Sequence, residues 1–209
     1  MSNALAAGVM LGASVSLLWE GVGRNAALVL AGALAGGVFV AALQHVMHRL
    51  PTPDLASLTG HDARKALLII AVMTAHSVAE GIGVGASFGG GATLGWVITT
   101  AIAIHNIPEG IAVSLVLVPR GASIRSAAWW SIFTSLPQPL LAVPAYLFVE
   151  QFTTILPAGL GFAAGAMAWM VARELAPEAL RQVPRRRVAI GWMAVAFAAM
   201  FGFQTLLLA

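Results

Sequence analysis

Two short stretches carry the residue types able to hold a metal. Residues 104–110 read I-H-N-I-P-E-G and residues 75–81 read A-H-S-V-A-E-G. Each sets a histidine and a glutamate four residues apart, His105 with Glu109 and His76 with Glu80. On an α-helix that spacing puts both side chains of a pair on one face, one turn apart. Two neutral imidazoles and two carboxylates make a ligand set for a divalent ion, and its chemistry suits zinc or iron better than calcium.

Both stretches sit in strongly apolar runs, and that placement is costly. A carboxylate near the centre of a bilayer costs at least about 2.5–3.5 kcal/mol on insertion scales, so two of them need protons, a partner or a cation. No lysine or arginine lies between Lys65 and Arg120. A single His–Glu pair would serve equally well as polar glue between helices. Two copies without a basic partner favour a cation site.

The elements that must position these residues are transmembrane helices. The chain of 209 residues is 59% hydrophobic and 9% charged, with a mean hydropathy of +0.89, far outside the soluble range. Cysteine is absent, which removes disulfide frameworks, thiolate metal sites and thiol chemistry. The isoelectric point near 10.6 is read as a topology signal at membrane edges, so no nucleic-acid partner is expected. The expected fold class is all-α, a polytopic transmembrane bundle in a single domain over residues 1–209. Apolar runs long enough to span hydrocarbon occur at about 4–20, 26–47, 66–89, 93–118, 126–149, 155–176 and 188–208. They lack the alternation of an outer-membrane barrel, so helices are the spanning form.

Arginine and lysine set the orientation. Arg49, Arg64, Lys65, Arg120, Arg125, Arg173, Arg181, Arg185, Arg186 and Arg187 fall on one side and only Arg24 on the other. The positive-inside rule then puts the N-terminus in the cytosol and the C-terminus outside. Abundant alanine and arginine with little lysine point to a GC-rich bacterial host and its inner membrane. The first run begins almost at Met1 without a basic flank or cleavage motif, so it is not expected to be a signal peptide. Trp129, Trp130 and Trp192 read as interfacial anchors near span ends.

Several features bear on the route to such a site. Pro108 lacks an N–H, so the fourth span should kink one turn before it and leave a bare carbonyl beside His105. The run T-S-L-P-Q-P-L, residues 134–140, should break the fifth span, and its freed carbonyls need partners. Gln138 within it is either a neutral ligand or interhelical glue. Gly81, Gly83 and Gly85 read as close-packing positions. Glu174 and Glu178, near Arg173, either receive metal at the cytosolic mouth or pair locally. Glu20 is either an outer intake residue or solvated, and His45, His48 and His61 are either exit-side ligands or headgroup-level residues. Ala6-Ala7-Gly8 with Met10 echoes Ala163-Ala164-Gly165 with Met167 on spans of opposite direction, the trace of an inverted repeat.

The pairing H-S-V-A-E-G and H-N-I-P-E-G, followed by a proline-broken helix and an A-A-G-A-M helix ending in acid, resembles the ZIP family of divalent-metal transporters over essentially the whole chain. The likeness is nearest to bacterial and plant members with H-N-I-P-E-G-I-A-V-S and S-L-P-Q-P-L. It implies an eight-helix fold of inverted-repeat arrangement that carries metal toward the cytosol. The first span here then matches the family's second, and the family's first helix has no counterpart. The resemblance assigns His76, Glu80, His105 and Glu109 to the principal metal site and Asn106 to a second. Ser77 stands where many relatives have asparagine, and Gln138 where several have glutamate, so the second site is poorer in charge.

The transported substrate would be zinc, or iron, manganese or cadmium. Membrane lipid is the expected surrounding partner, and a homodimer is a candidate assembly. Two alternatives remain at this stage, an intramembrane zinc hydrolase and a metal-binding membrane protein that does not transport. Four protein ligands would fill a tetrahedral zinc and leave little room for a reacting water, and the H-E-x-x-H protease signature is absent. No enzymatic activity is therefore expected.

Overall fold

The computed structural model describes residues 2–49, 60–183 and 185–208. Among the described residues eight α-helices follow in order: α1 (Ser2–Arg49), α2 (Gly60–Gly89), α3 (Ala92–Leu117), α4 (Ile124–Ser135), α5 (Pro137–Gln151), α6 (Leu156–Met170), α7 (Ala176–Gln182) and α8 (Arg186–Leu208). No strand occurs among the described residues. Among the described residues, five helical segments are long and apolar enough to cross a membrane: Asn3–Val46, Ala92–Arg120, Ile124–Gln151, Thr153–Arg181 and Arg186–Leu206. Gly60–Gly89 is not among these five, and it is the helix that carries His76, Ser77 and Glu80 in its middle.

The long first helix is two helices joined at a bend. Asn25 has extended backbone angles, φ −163° and ψ 101°, and its side-chain oxygen accepts from the Leu28 N–H at 3.1 Å. It thus acts as the N-cap of the second half, satisfying a donor the bend would strand. The break falls where the two apolar runs were separated in the sequence. Between α2 and α3, Gly91 adopts a φ of 126°, a conformation that glycine alone enters without steric cost.

Proline behaves differently at its several positions. Residues 92–117 are helical throughout, so the proline expected to bend this span does not break it. The fifth run does break, into α4 and α5, with Pro137 opening the second piece. There the absent N–H is harmless, since a first-turn N–H has no intrahelical partner. Pro144 is accommodated within α5. The sixth run continues from α6 through a π-helical turn, Val171–Leu175, into α7.

Small residues decide which helices meet. Gly32 and Gly36 on α1 lie against the backbone carbonyls of Ala158 and Phe162, while Gly161 and Gly165 on α6 lie against those of Val29 and Ala33. A Cβ at any of the four would run into its partner's carbonyl, so two glycine pairs spaced four apart allow the two backbones to come into direct contact. In lipid no hydrophobic force draws apolar helices together, and close backbone approach of this kind supplies the packing instead. The same device joins α2 to α5, where a Cβ on Gly81 would sit 2.9 Å from the Cα of Gln138 and one on Gly85 2.6 Å from the Cβ of Ala145. Gly83 faces Ala163 and Met167 of α6.

Helix α2 therefore runs through the middle, in contact with α1, α3, α4, α5 and α6. The core beside it contains Met10, Leu17, Ile98, Leu160, Met167 and Met170. Both members of the Ala-Ala-Gly echo contribute buried residues, Ala6, Ala7 and Met10 in one and Ala163, Ala164 and Met167 in the other. Outward faces are apolar as well, with Leu30, Leu34, Ile132, Leu140 and Leu147 exposed. A water-soluble protein seldom presents so continuous an apolar surface.

Candidate metal centre

Helices α2 and α3 are joined by a two-residue turn, Gly90 and Gly91, and so lie side by side. The four-residue spacing then brings both His–Glu pairs to facing surfaces. His76, Glu80, His105 and Glu109 are all buried, with relative exposures of 1%, 0%, 1% and 7%. His105 Nε2 lies 3.5 Å from Glu80 Oε1 and 3.9 Å from Glu109 Oε2. One ligand atom from each of Glu80, His105 and Glu109 falls within 4.8 Å of the other two.

These separations fit a cation. Zinc bonds of about 2.0–2.2 Å in a tetrahedron place neighbouring ligand atoms roughly 3.4 Å apart, so a small inward shift of the three side chains would close on an ion. Their polar atoms also lack other satisfaction. Both carboxylate oxygens of Glu80, both nitrogens of His105 and Glu109 Oε1 are buried and make no hydrogen bond among the described residues. Leaving one such atom unsatisfied costs about 1–3 kcal/mol, more when it is charged. A divalent ion would meet that need at these residues, which polar glue would have met with hydrogen bonds.

His76 stands apart from the three. It lies one turn before Glu80 on α2, and both of its nitrogens also lack hydrogen bonds among the described residues. Its Nδ1 is 3.5 Å from Glu174 Oε2, in the π-helical turn after α6. Glu174 thus faces the buried His76, and its side chain keeps 25% of its exposure. The histidine links the three-ligand cluster to a carboxylate nearer the surface.

The remaining sequence candidates separate into groups. Asn106 Nδ2 donates to Gln138 Oε1 at 2.7 Å, tying α3 to the start of α5 beside the cluster. Ser77 is buried next to His76. Glu20 accepts from Arg24 Nε and Nη2 at 3.0 and 2.7 Å, and Arg24 also reaches the Gly90 carbonyl at 3.4 Å in the α2–α3 turn. Glu178 is paired with Arg181 at 3.6 Å on an exposed part of α7. His45 is exposed on α1; the side chains of His48 and His61 lie outside the described residues.

Sequence reasoning passed over Gln44 and Trp169. Gln44 donates to Glu174 Oε1 and accepts from Trp169 Nε1 at 3.3 Å. The available signal was a lone amide inside an apolar span, where a polar group needs a stated partner.

The ZIP Zinc transporter family model matches residues 47–208. A protein of Arabidopsis thaliana provisionally named a zinc transporter is 47% identical over 190 residues, covering 90% of this chain and 31% of the plant protein. Zinc transporter GufA of Myxococcus xanthus is 36% identical over 179 residues, covering 82% of this chain and 68% of its own. Zinc transporter ZIP11 of Homo sapiens is 34% identical over 146 residues, covering 62% and 41%. The chain thus spans between about a third and two thirds of the length of these relatives. Their common name is that of a transporter, which agrees with the apolar helices of an integral membrane protein and gives the hydrolase reading no support. With a family match over most of its length and a buried His–Glu cluster in the matched region, the chain belongs to the ZIP zinc transporter family.

Proposed function

We propose that this chain carries zinc, or a divalent ion of similar ligand preference such as iron, manganese or cadmium, across a membrane. The ion is held at Glu80, His105 and Glu109, with His76 completing the set. One observation carries the reading: three side chains able to ligate a metal converge in buried positions from two helices, and the two glutamates leave buried carboxylate oxygens without a hydrogen bond among the described residues. The names of the relatives add zinc as the cargo.

The same proposal extends to topology and direction. Counted with the bend at Asn25 as a turn between two spans, α1 supplies two crossings; α2, α3, α4 with α5, α6 with α7, and α8 supply five more. The arginine asymmetry then places the start of α1 in the cytosol and the end of α8 outside. Ions move inward, past His76 toward Glu174 on the arginine-rich side. The glycine-locked pair α1 and α6, with α8, forms one group of helices, and α2, α3 and α5 form the other. Alternating access results from one group shifting against the other around a site near the middle of the membrane. The echo between residues 6–10 and 163–167 supports an inverted-repeat origin for that arrangement.

Reconstitution tests the reading. Liposomes containing the purified protein should take up zinc, and Glu80→Gln or Glu109→Gln should abolish the uptake while the variants remain monodisperse in detergent. Zinc uptake unchanged in both variants would contradict it.

A further inference from the structure

The π-helical turn Val171–Leu175 places Glu174 among partners that metal binding alone does not require. Single π turns interrupt α-helices at functional sites more often than elsewhere, because the wider turn re-aims the residues that follow. Here the carboxylate reaches in two directions. Oε2 lies 3.5 Å from Nδ1 of the buried His76, and Oε1 accepts from the Gln44 side-chain amide on α1. Gln44 Oε1 in turn accepts from Trp169 Nε1 at 3.3 Å. The guanidinium of Arg173 lies over the Trp169 ring, 5.6 Å from its centroid.

The donor chemistry of this chain runs one way. An indole N–H can only donate, so the Gln44 atom that meets it must be the oxygen. The NH2 end of the same amide is thereby turned to Glu174, where it can only donate. One oxygen of Glu174 is thus occupied, and the carboxylate is turned so that the other points at His76. Free rotation of the glutamate side chain would carry it away from the histidine as readily as toward it. Outer partners that orient metal-binding carboxylates and imidazoles typically change affinity or activity by about 10–100-fold when removed.

We propose that Gln44 and Trp169 are positioning residues for metal transfer, holding Glu174 as the next station for an ion that leaves the buried cluster past His76. The inference rests on the transport reading above. It assigns no metal contact to either residue. The route runs from a histidine with 1% side-chain exposure to a glutamate with 25%, so the ion passes from the sealed centre to one that water reaches.

Initial rates of zinc uptake into liposomes test it, together with zinc bound per protein in detergent. Gln44→Leu should lower the maximal rate on the order of ten-fold. Trp169→Phe keeps an aromatic ring at this position while removing the indole N–H, so it limits the packing disturbance and should lower the rate by a few-fold. Zinc affinity in detergent should stay within about two-fold in both, because the three-ligand cluster is untouched. In a Glu174→Gln background neither change should slow uptake further, since their effect acts through that carboxylate. Losses that simply multiply in that background would mark a structural role and overturn the proposal, as would wild-type rates in both single variants. If Glu80→Gln stops uptake while Gln44→Leu and Trp169→Phe do not alter it, the positioning role fails and the transport reading stands. If the wild type binds zinc and moves none, both fail together.

Discussion

His105 Nε2 and Glu80 Oε1 face each other at 3.5 Å from different helices, both sealed from solvent. Neither residue meets this partner through its own four-residue repeat. The contact exists because the short Gly90–Gly91 turn folds α3 back along α2 and brings one copy of the repeat against the other. A cation held between them would be bound by the pairing of two helices, and its affinity would report that pairing.

Removing one carboxylate should therefore weaken binding far more than an exposed ion pair would suggest. Glu109→Gln is expected to lower zinc affinity by at least ten-fold, since a neutral amide replaces one of three converging ligands in a site of low dielectric. Calorimetric titration of the detergent-solubilised protein measures it. An affinity unchanged within two-fold would remove Glu109 from the ligand set.

Protons should compete with the ion. Metal binding requires neutral imidazole and ionised carboxylate, so each ligand that is protonated in the free protein releases a proton as zinc enters. The sign follows directly: lowering the pH supplies the competitor, and apparent affinity falls by roughly ten-fold per pH unit for each proton released. Titrations in buffers of different ionisation enthalpy count those protons, and an affinity independent of pH would contradict the ligand set.

The neighbourhood of Asn106 should hold no second ion in the native chain. Ser77, Asn106 and Gln138 are all uncharged, and the amides of the latter two are hydrogen-bonded to each other at 2.7 Å. Replacing both by carboxylates, Asn106→Asp with Gln138→Glu, removes that bond and adds two anionic ligands beside the first site. The variant is expected to bind additional zinc per chain by elemental analysis, whereas the wild type binds only at the principal centre.

The α1–α6 crossing should tolerate no added side chain. Gly165→Val drives a branched group into the Ala33 backbone, and overpacking of this kind costs about 1–3 kcal/mol or more. Thermal unfolding in detergent should show a Tm lower by several degrees. Gly191→Ala on α8 is the control: a Cβ there meets nothing within 4 Å, so its effect should stay within about 0.5 kcal/mol.

How much of this was legible in the sequence differs from residue to residue. His76, Glu80, His105 and Glu109 stood out because charge inside an apolar run must be compensated, and the helical period alone put each pair on one face. The bend at Asn25 was legible as a gap between two apolar runs, and the break at Pro137 as a cluster of prolines. The separation of His76 from the other three residues was not, since spacing fixes a face of a helix and not the distance across to its neighbour. The π turn Val171–Leu175 was equally hidden, because V-A-R-E-L is ordinary helical sequence and packing sets the wider turn. Gln44 and Trp169 lie 125 positions apart, and only the crossing of α1 over α6 brings them together. The glycines that make this crossing, at 32, 36, 161 and 165, carry the right spacing in the sequence, which leaves their partner unnamed.

The position of the bound ion tests the central claim most directly. Crystals of the protein grown with zinc or cadmium should give an anomalous difference peak within bonding distance, about 2.0–2.4 Å, of Glu80, His105 and Glu109. A strong peak elsewhere in the bundle, or none between α2 and α3 at saturating metal, would contradict the account.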